Sequence, residues 1–184
     1  MTDSKLKTYI DCLSKAFEQN SSILSDKNFF VAAIMVMLDR SNQIFMFCRK
    51  MSVFSNFFYD DMNFDNLLKR REMVKESLKK FFEKEGSRMF VIVTEEPESK
   101  DFLLGEEKLS ELVDSCKLLI YKVPKDLAYG MYHFTIADDV EVRVEHNIDK
   151  KMTATCVFHD GKMIACLKDI YETLKSYSTF VSYK

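Results

Sequence analysis

At 184 residues, with 47% apolar and 30% charged residues, the composition is that of a globular chain and excludes a disordered tract. A net charge of −2 excludes bulk attraction to nucleic acid or to an anionic membrane. Four glycines and two prolines leave no flexible linker, so residues 1–184 read as a single domain.

In chain order, "DSKLKTYIDCLSKAFEQN" places Leu6, Ile10, Leu13 and Phe17 at helical spacing, with Asp3 or Ser4 as cap. "SDKNFFVAAIMVMLDRSNQ" has strand-like composition but reads as a buried helix, capped by Ser25 or Asp26. Its apolar run, residues 29–38, is too short for a membrane helix, which needs about 20 residues. "QIFMFCRK" (43–50) reads as a strand covered on both faces. "VFSNFFYDDMNF" (53–64) is an aromatic-rich loop that either folds back onto the core or meets a partner.

"DNLLKRREMVKESLKKFFEKEG" is the clearest helix, with Leu67, Val74, Leu78 and Phe81 or Phe82 inward and Gly86 at the C-terminal cap. It carries the densest basic stretch, Lys69, Arg70, Arg71, Lys75 and Lys79. A solvated helix face accounts for these residues, and a nucleic-acid contact is the alternative. "RMFVIVTE", "GEEKLSELVDSC" and "KLLIYKV" follow as strand, helix and strand. Alternation over residues 43–123 predicts parallel βαβ units with right-handed crossovers.

After residue 130 the pattern becomes antiparallel. "MYHFTIAD", "VEVRVEH" and "KMTATCVFHD" read as strands joined at Asp138-Asp139 and near Asn147-Asp149. In the middle strand Val140, Val142 and Val144 alternate with Glu141, Arg143 and Glu145, so the ionic side is expected to meet water, a ligand or a partner. "DGKMIACLKDIYETLKSY" closes the chain as an amphipathic helix. The fold class is therefore α/β, a mixed sheet with helices packed on both faces.

Chemistry-bearing motifs are scarce. No GxSxG, GxxxxGK[ST] or GxGxxG occurs. His133, His146 and His159 stand on different strands or strand ends without local metal-ligand spacing, so no metal or cofactor is expected. Cys12, Cys48, Cys116, Cys156 and Cys166 are odd in number and lack a CxxC. They argue against a disulfide framework and for a reducing, cytoplasmic setting, as does a start without an apolar signal-peptide core. Paired carboxylates at Asp60-Asp61, Asp138-Asp139 and Glu141 with Glu145 suit acid–base work if burial separates them. They also suit ordinary turns and exposed strands.

The order strand "IFMFCRKMSVFS", long helix, strand "MFVIVTE", short helix, strand "LLIYKV", then "YHFTIADDVEVRVEH" and a final helix resembles half of a phospholipase D-like fold. The resemblance spans residues 40–177 and divides the chain into an N-terminal helical segment (1–40) and a phospholipase D-like core (41–184). Enzymes of that superfamily carry His-x-Lys-x4-Asp, use the histidine as nucleophile on a phosphodiester and pair two motifs, often through a homodimer. Laid onto "MYHFTIAD", Asp138 takes the aspartate position, Met131 the nucleophile's and His133 the lysine's. The resemblance thus implies a non-catalytic member, of the kind found in bacterial accessory and defence-associated proteins. The expectation is a binding or interaction module, a homodimer or the partner of another protein, contacting its ligand through His133, Asp138, Arg143 and Glu145. The alternatives are a nuclease or phosphodiesterase using His133, His146 and the nearby acids, and a nucleic-acid-binding regulator using the basic helix.

Overall fold

The first apolar stripe does form a helix. α1 (Asp3–Glu18) buries Leu13 and Ala16 and leaves Asp11 and Cys12 outside. The computed structural model describes residues 3–19, 21–25, 27–56, 67–145 and 154–183. α2 (Lys27–Arg40) buries Val31, Ala32, Ala33, Ile34, Met37 and Leu38. Apolar groups on every side suit a helix wrapped by protein. Its last carbonyls are held by Lys84, whose Nζ donates to the carbonyls of Leu38 at 2.8 Å and Ser41 at 2.9 Å. A cation at a helix C-terminus also opposes the helix dipole. Between these helices a strand not expected from the sequence, β1 (Ser22–Ser25), joins the sheet.

The strands β2 (Gln43–Cys48), β3 (Arg88–Val93) and β4 (Leu118–Lys122) run parallel, in register Gln43↔Arg88 and Met89↔Leu118. α3 (Leu67–Glu83) and α4 (Glu106–Asp114) make the two crossovers. The expected cap residue Gly86 has φ 72, a conformation free of penalty only for glycine. β5 (Phe134–Ala137), β6 (Glu141–Glu145) and β7 (Ala154–Phe158) are antiparallel, as the alternation of their residues predicts. α5 (Gly161–Ser176) follows, with the Asp160 carboxylate accepting from the backbone N–H groups of Lys162 and Met163. β8 (Thr179–Phe180) pairs back onto β4. The strands form one mixed sheet in the order β1-β7-β6-β5-β2-β3-β4-β8.

Helices cover both faces. On one side α2, α3 and α4 pack over Ile44, Met46, Met89, Val91 and Ile120, while α1 and α2 close over Cys156 and Phe158. On the other, Ile164, Tyr171 and Leu174 of α5 meet Phe47, Ile92, Phe134, Ile136 and Val142. Of the aromatic loop 53–64, Val53 and Phe54 are buried in the core; residues 57–64 lie outside the described residues. No helix among the described residues is long and apolar enough to cross a membrane.

Candidate functional site

In sheets of parallel βαβ units, ligands bind outside the carboxyl ends of the strands. Here that edge holds the ends of β2, β3 and β4. β5 runs against β2 with Phe134 opposite Phe47, so the start of β5 and the end of β6 reach the same edge. This brings His133 and Glu145 side by side, the Glu145 amide donating to the His133 carbonyl at 2.9 Å.

The side chains there form a chain of charge-assisted contacts. His133 Nδ1 lies 3.1 Å from Glu145 Oε2, and Arg143 Nη1 donates to Glu145 Oε1 at 2.7 Å. Burial works against the ionised Glu145, but the His133 hydrogen bond and the Arg143 charge and hydrogen bond outweigh it and bring the carboxyl down to about 2. Facing a carboxylate, His133 Nδ1 is the donor of this contact. The Phe47 ring stands edge-on to the imidazole at 5.9 Å. Burial pushes the Cys48 thiol up to about 12, against the Met51 N–H that it accepts at 3.3 Å and with the nearby Glu145 charge adding to the rise. Burial thus favours the neutral Cys48 thiol over the thiolate.

The structure corrects the expectation that the ionic side of this strand meets water, a ligand or a partner. Arg143 is 2% and Glu141 3% exposed, and Val142 and Val144 on the other side are buried as well. The sheet face that carries Glu141, Arg143 and Glu145 also carries their β7 neighbours Phe158, Cys156 and Ala154, and α1 and α2 lie over it. The charges survive burial because Arg143 and Glu145 compensate each other, while burial pushes the Glu141 carboxyl up to about 8, against the Arg40 charge.

Of the four expected contact residues, His133, Arg143 and Glu145 come together and Asp138 does not. Asp138 stands at the opposite edge of the sheet, where its carboxylate accepts from the backbone N–H groups of Asn42 at 2.8 Å and Gln43 at 2.6 Å. His159 is at that far edge too, its ring 4.8 Å from Phe17, so it does not converge on His133. His146 lies outside the described residues. Met131 precedes β5 and packs against the core on the α5 side, with His133 two residues on. Among the described residues no group of three His, Cys, Asp or Glu side chains could hold a metal ion.

On the basic helix α3, Arg70 is buried and Lys69 and Lys79 are exposed. Acidic neighbours share the face: Lys79 lies 3.9 Å from Glu83, and Lys80 3.7 Å from Glu76. What the sequence did not signal is a set of exposed apolar side chains, Leu127, Tyr129, Tyr132, Tyr177 and Phe180, with Tyr129 92% exposed. Leu127, Tyr129 and Tyr132 fall on the β4–β5 connection, and Tyr177 and Phe180 beside β8. These residues have no helical or strand period, and only the turn residues Pro124, Asp126 and Gly130 in "VPKDLAYGMYHF" hint that its aromatics are not core.

Neither the models of known families nor the curated proteins match the sequence. Solved structures do match in fold. Nuc, a phospholipase D family member from Salmonella typhimurium, matches with a TM-score of 0.53 at 9% identity, over 88% of this chain and 98% of that one. The fold is phospholipase D-like. Phosphatidylserine synthase of Haemophilus influenzae Rd KW20 shares it, with a TM-score of 0.52 at 13% identity, over 89% of this chain and 41% of that one. So does TrmBL2, an archaeal chromatin protein whose structure shows a novel mode of DNA binding. Its TM-score is 0.57 at 14% identity, over 97% of this chain and 64% of that one. Within this phospholipase D-like fold, His133 and Glu145 lie at the end of the sheet that holds the carboxyl ends of β2, β3 and β4.

Proposed function

We propose that this chain is a non-catalytic interaction module on a phospholipase D-like fold, working as a homodimer through the edge that holds His133 and the exposed tyrosines. One observation carries the reading. The attacking group's position is a thioether, Met131, and the nearby imidazole is tied through Nδ1 to a carboxylate that Arg143 already holds. Arg143 is thereby spent on an internal partner rather than offered to a phosphate. The contact surface is then the aromatic one. Two of its lysines are paired with neighbouring carboxylates, Lys122 with Glu96 at 3.5 Å and Lys175 with Glu172 at 3.6 Å, and Lys125 lies 2.8 Å from Glu95. Tyrosines among paired charges suit a protein surface, including a second copy of the same one. The three neighbours differ in what their names describe, so the fold alone does not choose among functions.

A second reading rests on the His133–Glu145 contact itself. A carboxylate that orients an imidazole leaves Nε2 free to accept a proton, as a phosphodiesterase base would need. An assay of bis(p-nitrophenyl) phosphate and single-stranded DNA, with and without EDTA, separates the two. The interaction reading expects no turnover by the wild type; turnover that His133→Ala abolishes would overturn it.

A further inference from the structure

Beside the carboxyl ends of β2 and β4, on the face covered by α3 and α4, two loops enclose a cleft of about 150 Å³. One wall is residues 50–55 and the other residues 97–102, with Leu109 and Ile120 beneath. The walls are fixed by backbone rather than by mobile side chains. Ser55 and Phe102 form an antiparallel bridge, and the Leu103 amide donates to the Phe54 carbonyl at 2.8 Å. Met51 holds φ 55, a left-handed conformation that costs a side-chain-bearing residue about 1 kcal/mol and marks a backbone shaped by its surroundings.

The floor is apolar, from Met51, Phe54, Phe102, Leu109 and Ile120, while the rim carries Lys50 on one loop and Glu98 and Asp101 on the other. Glu98 pairs with Lys100 at 3.0 Å; the same lysine's charge also acts on Asp101, which makes no closer ion pair among the described residues. Lys50 shares the Glu95 carboxylate with Arg49 and Lys125, three cations to one anion among the described residues. An apolar pocket with one charge of each sign on opposite rims matches a ligand that has an apolar body, a carboxylate and an ammonium. The volume falls below the roughly 300–1,000 Å³ of drug-sized sites, which excludes a nucleotide.

We propose that this cleft binds a free hydrophobic α-amino acid, its carboxylate toward Lys50, its ammonium toward Asp101 and its side chain on Phe54, Phe102 and Ile120. The cleft opens at the same carboxyl edge as His133 but shares no lining residue with the His133–Glu145–Arg143 contacts, and it does not depend on the function proposed for them. Isothermal titration of the full chain with L-leucine, L-methionine and L-phenylalanine tests it, alongside 4-methylpentanoate and isopentylamine, the deaminated and decarboxylated counterparts of leucine. At least one amino acid should bind with a millimolar or lower Kd, and each single-charge analogue should bind about tenfold more weakly. Asp101→Asn should weaken amino-acid binding without changing binding of 4-methylpentanoate. Ser52→Trp, on an exposed rim position, should block all of them. No binding by any of the three amino acids, analogues that bind as well as leucine, or binding unchanged in both variants would overturn the proposal.

Discussion

Burial pushes the Glu141 carboxyl up to about 8, while the partners of Glu145, on the same strand, bring its carboxyl down to about 2. The two acids therefore act on stability in opposite senses. Glu145 ionises more readily folded than unfolded, so its contribution is complete above the usual carboxylate value of 4.5 and is lost as pH falls toward 2. Glu141 is harder to ionise folded than unfolded. Above 4.5 the unfolded chain gives up a proton that the folded chain keeps, so stability declines up to about 8 and then levels. Denaturant unfolding across pH should find a maximum at about pH 5. Glu141→Gln should remove roughly 3 to 4 kcal/mol of the decline between pH 5 and pH 8. Glu145→Gln should cost about 3 kcal/mol at neutral pH, because it leaves the Arg143 charge buried without its carboxylate. A Glu145→Gln protein as stable as the wild type would show that other partners suffice for Arg143. None of this was legible in "VEVRVE". Period-two alternation identified the strand and its two faces, but what lies over a face is decided by distant segments, here α1 and α2.

At the scale of elements, the sequence disclosed those whose pattern is local and long. The stripes of α3 and α5 and the apolar runs of β2, β3 and β4 were all readable. β1 was not: "SILS" is four residues, and its strand character comes from pairing Ile23 with Cys156 on β7, a partner far away in the chain. Asp138 was read as a contact residue because it matched a motif position, and its environment gives it mechanical work. It lies in the left-handed region at φ 46 and ties the β5–β6 turn to the start of β2. Asp138→Ala should lower stability by roughly 2 kcal/mol through lost charge-assisted hydrogen bonds and the conformational cost. Asp138→Asn, which tolerates that conformation and can accept one bond, should lose about half as much. Equal losses in the two variants, by thermal or denaturant unfolding, would argue against the backbone contacts as the cause.

For the whole molecule, the proposed dimer makes a mass prediction. Light scattering on a sizing column should give twice 21.6 kDa at micromolar concentration. Tyr129→Glu with Tyr132→Glu should return the mass to one copy with little change in Tm, since both side chains are exposed. A wild-type protein that remains a single copy at high concentration would remove the homodimer from the proposal.

The pairing of β1 with β7 reaches past molecular mass to the order of events during synthesis. Residues 22–25 leave the ribosome long before residues 154–157, the only neighbours among the described residues against which they form a ladder in the sheet. Until then the opening helices have no finished floor beneath them, and closure must wait for a join across most of the polypeptide. Nascent chains truncated before β7 should stay sensitive to protease near their amino terminus, and protection there should arrive abruptly once β7 has emerged.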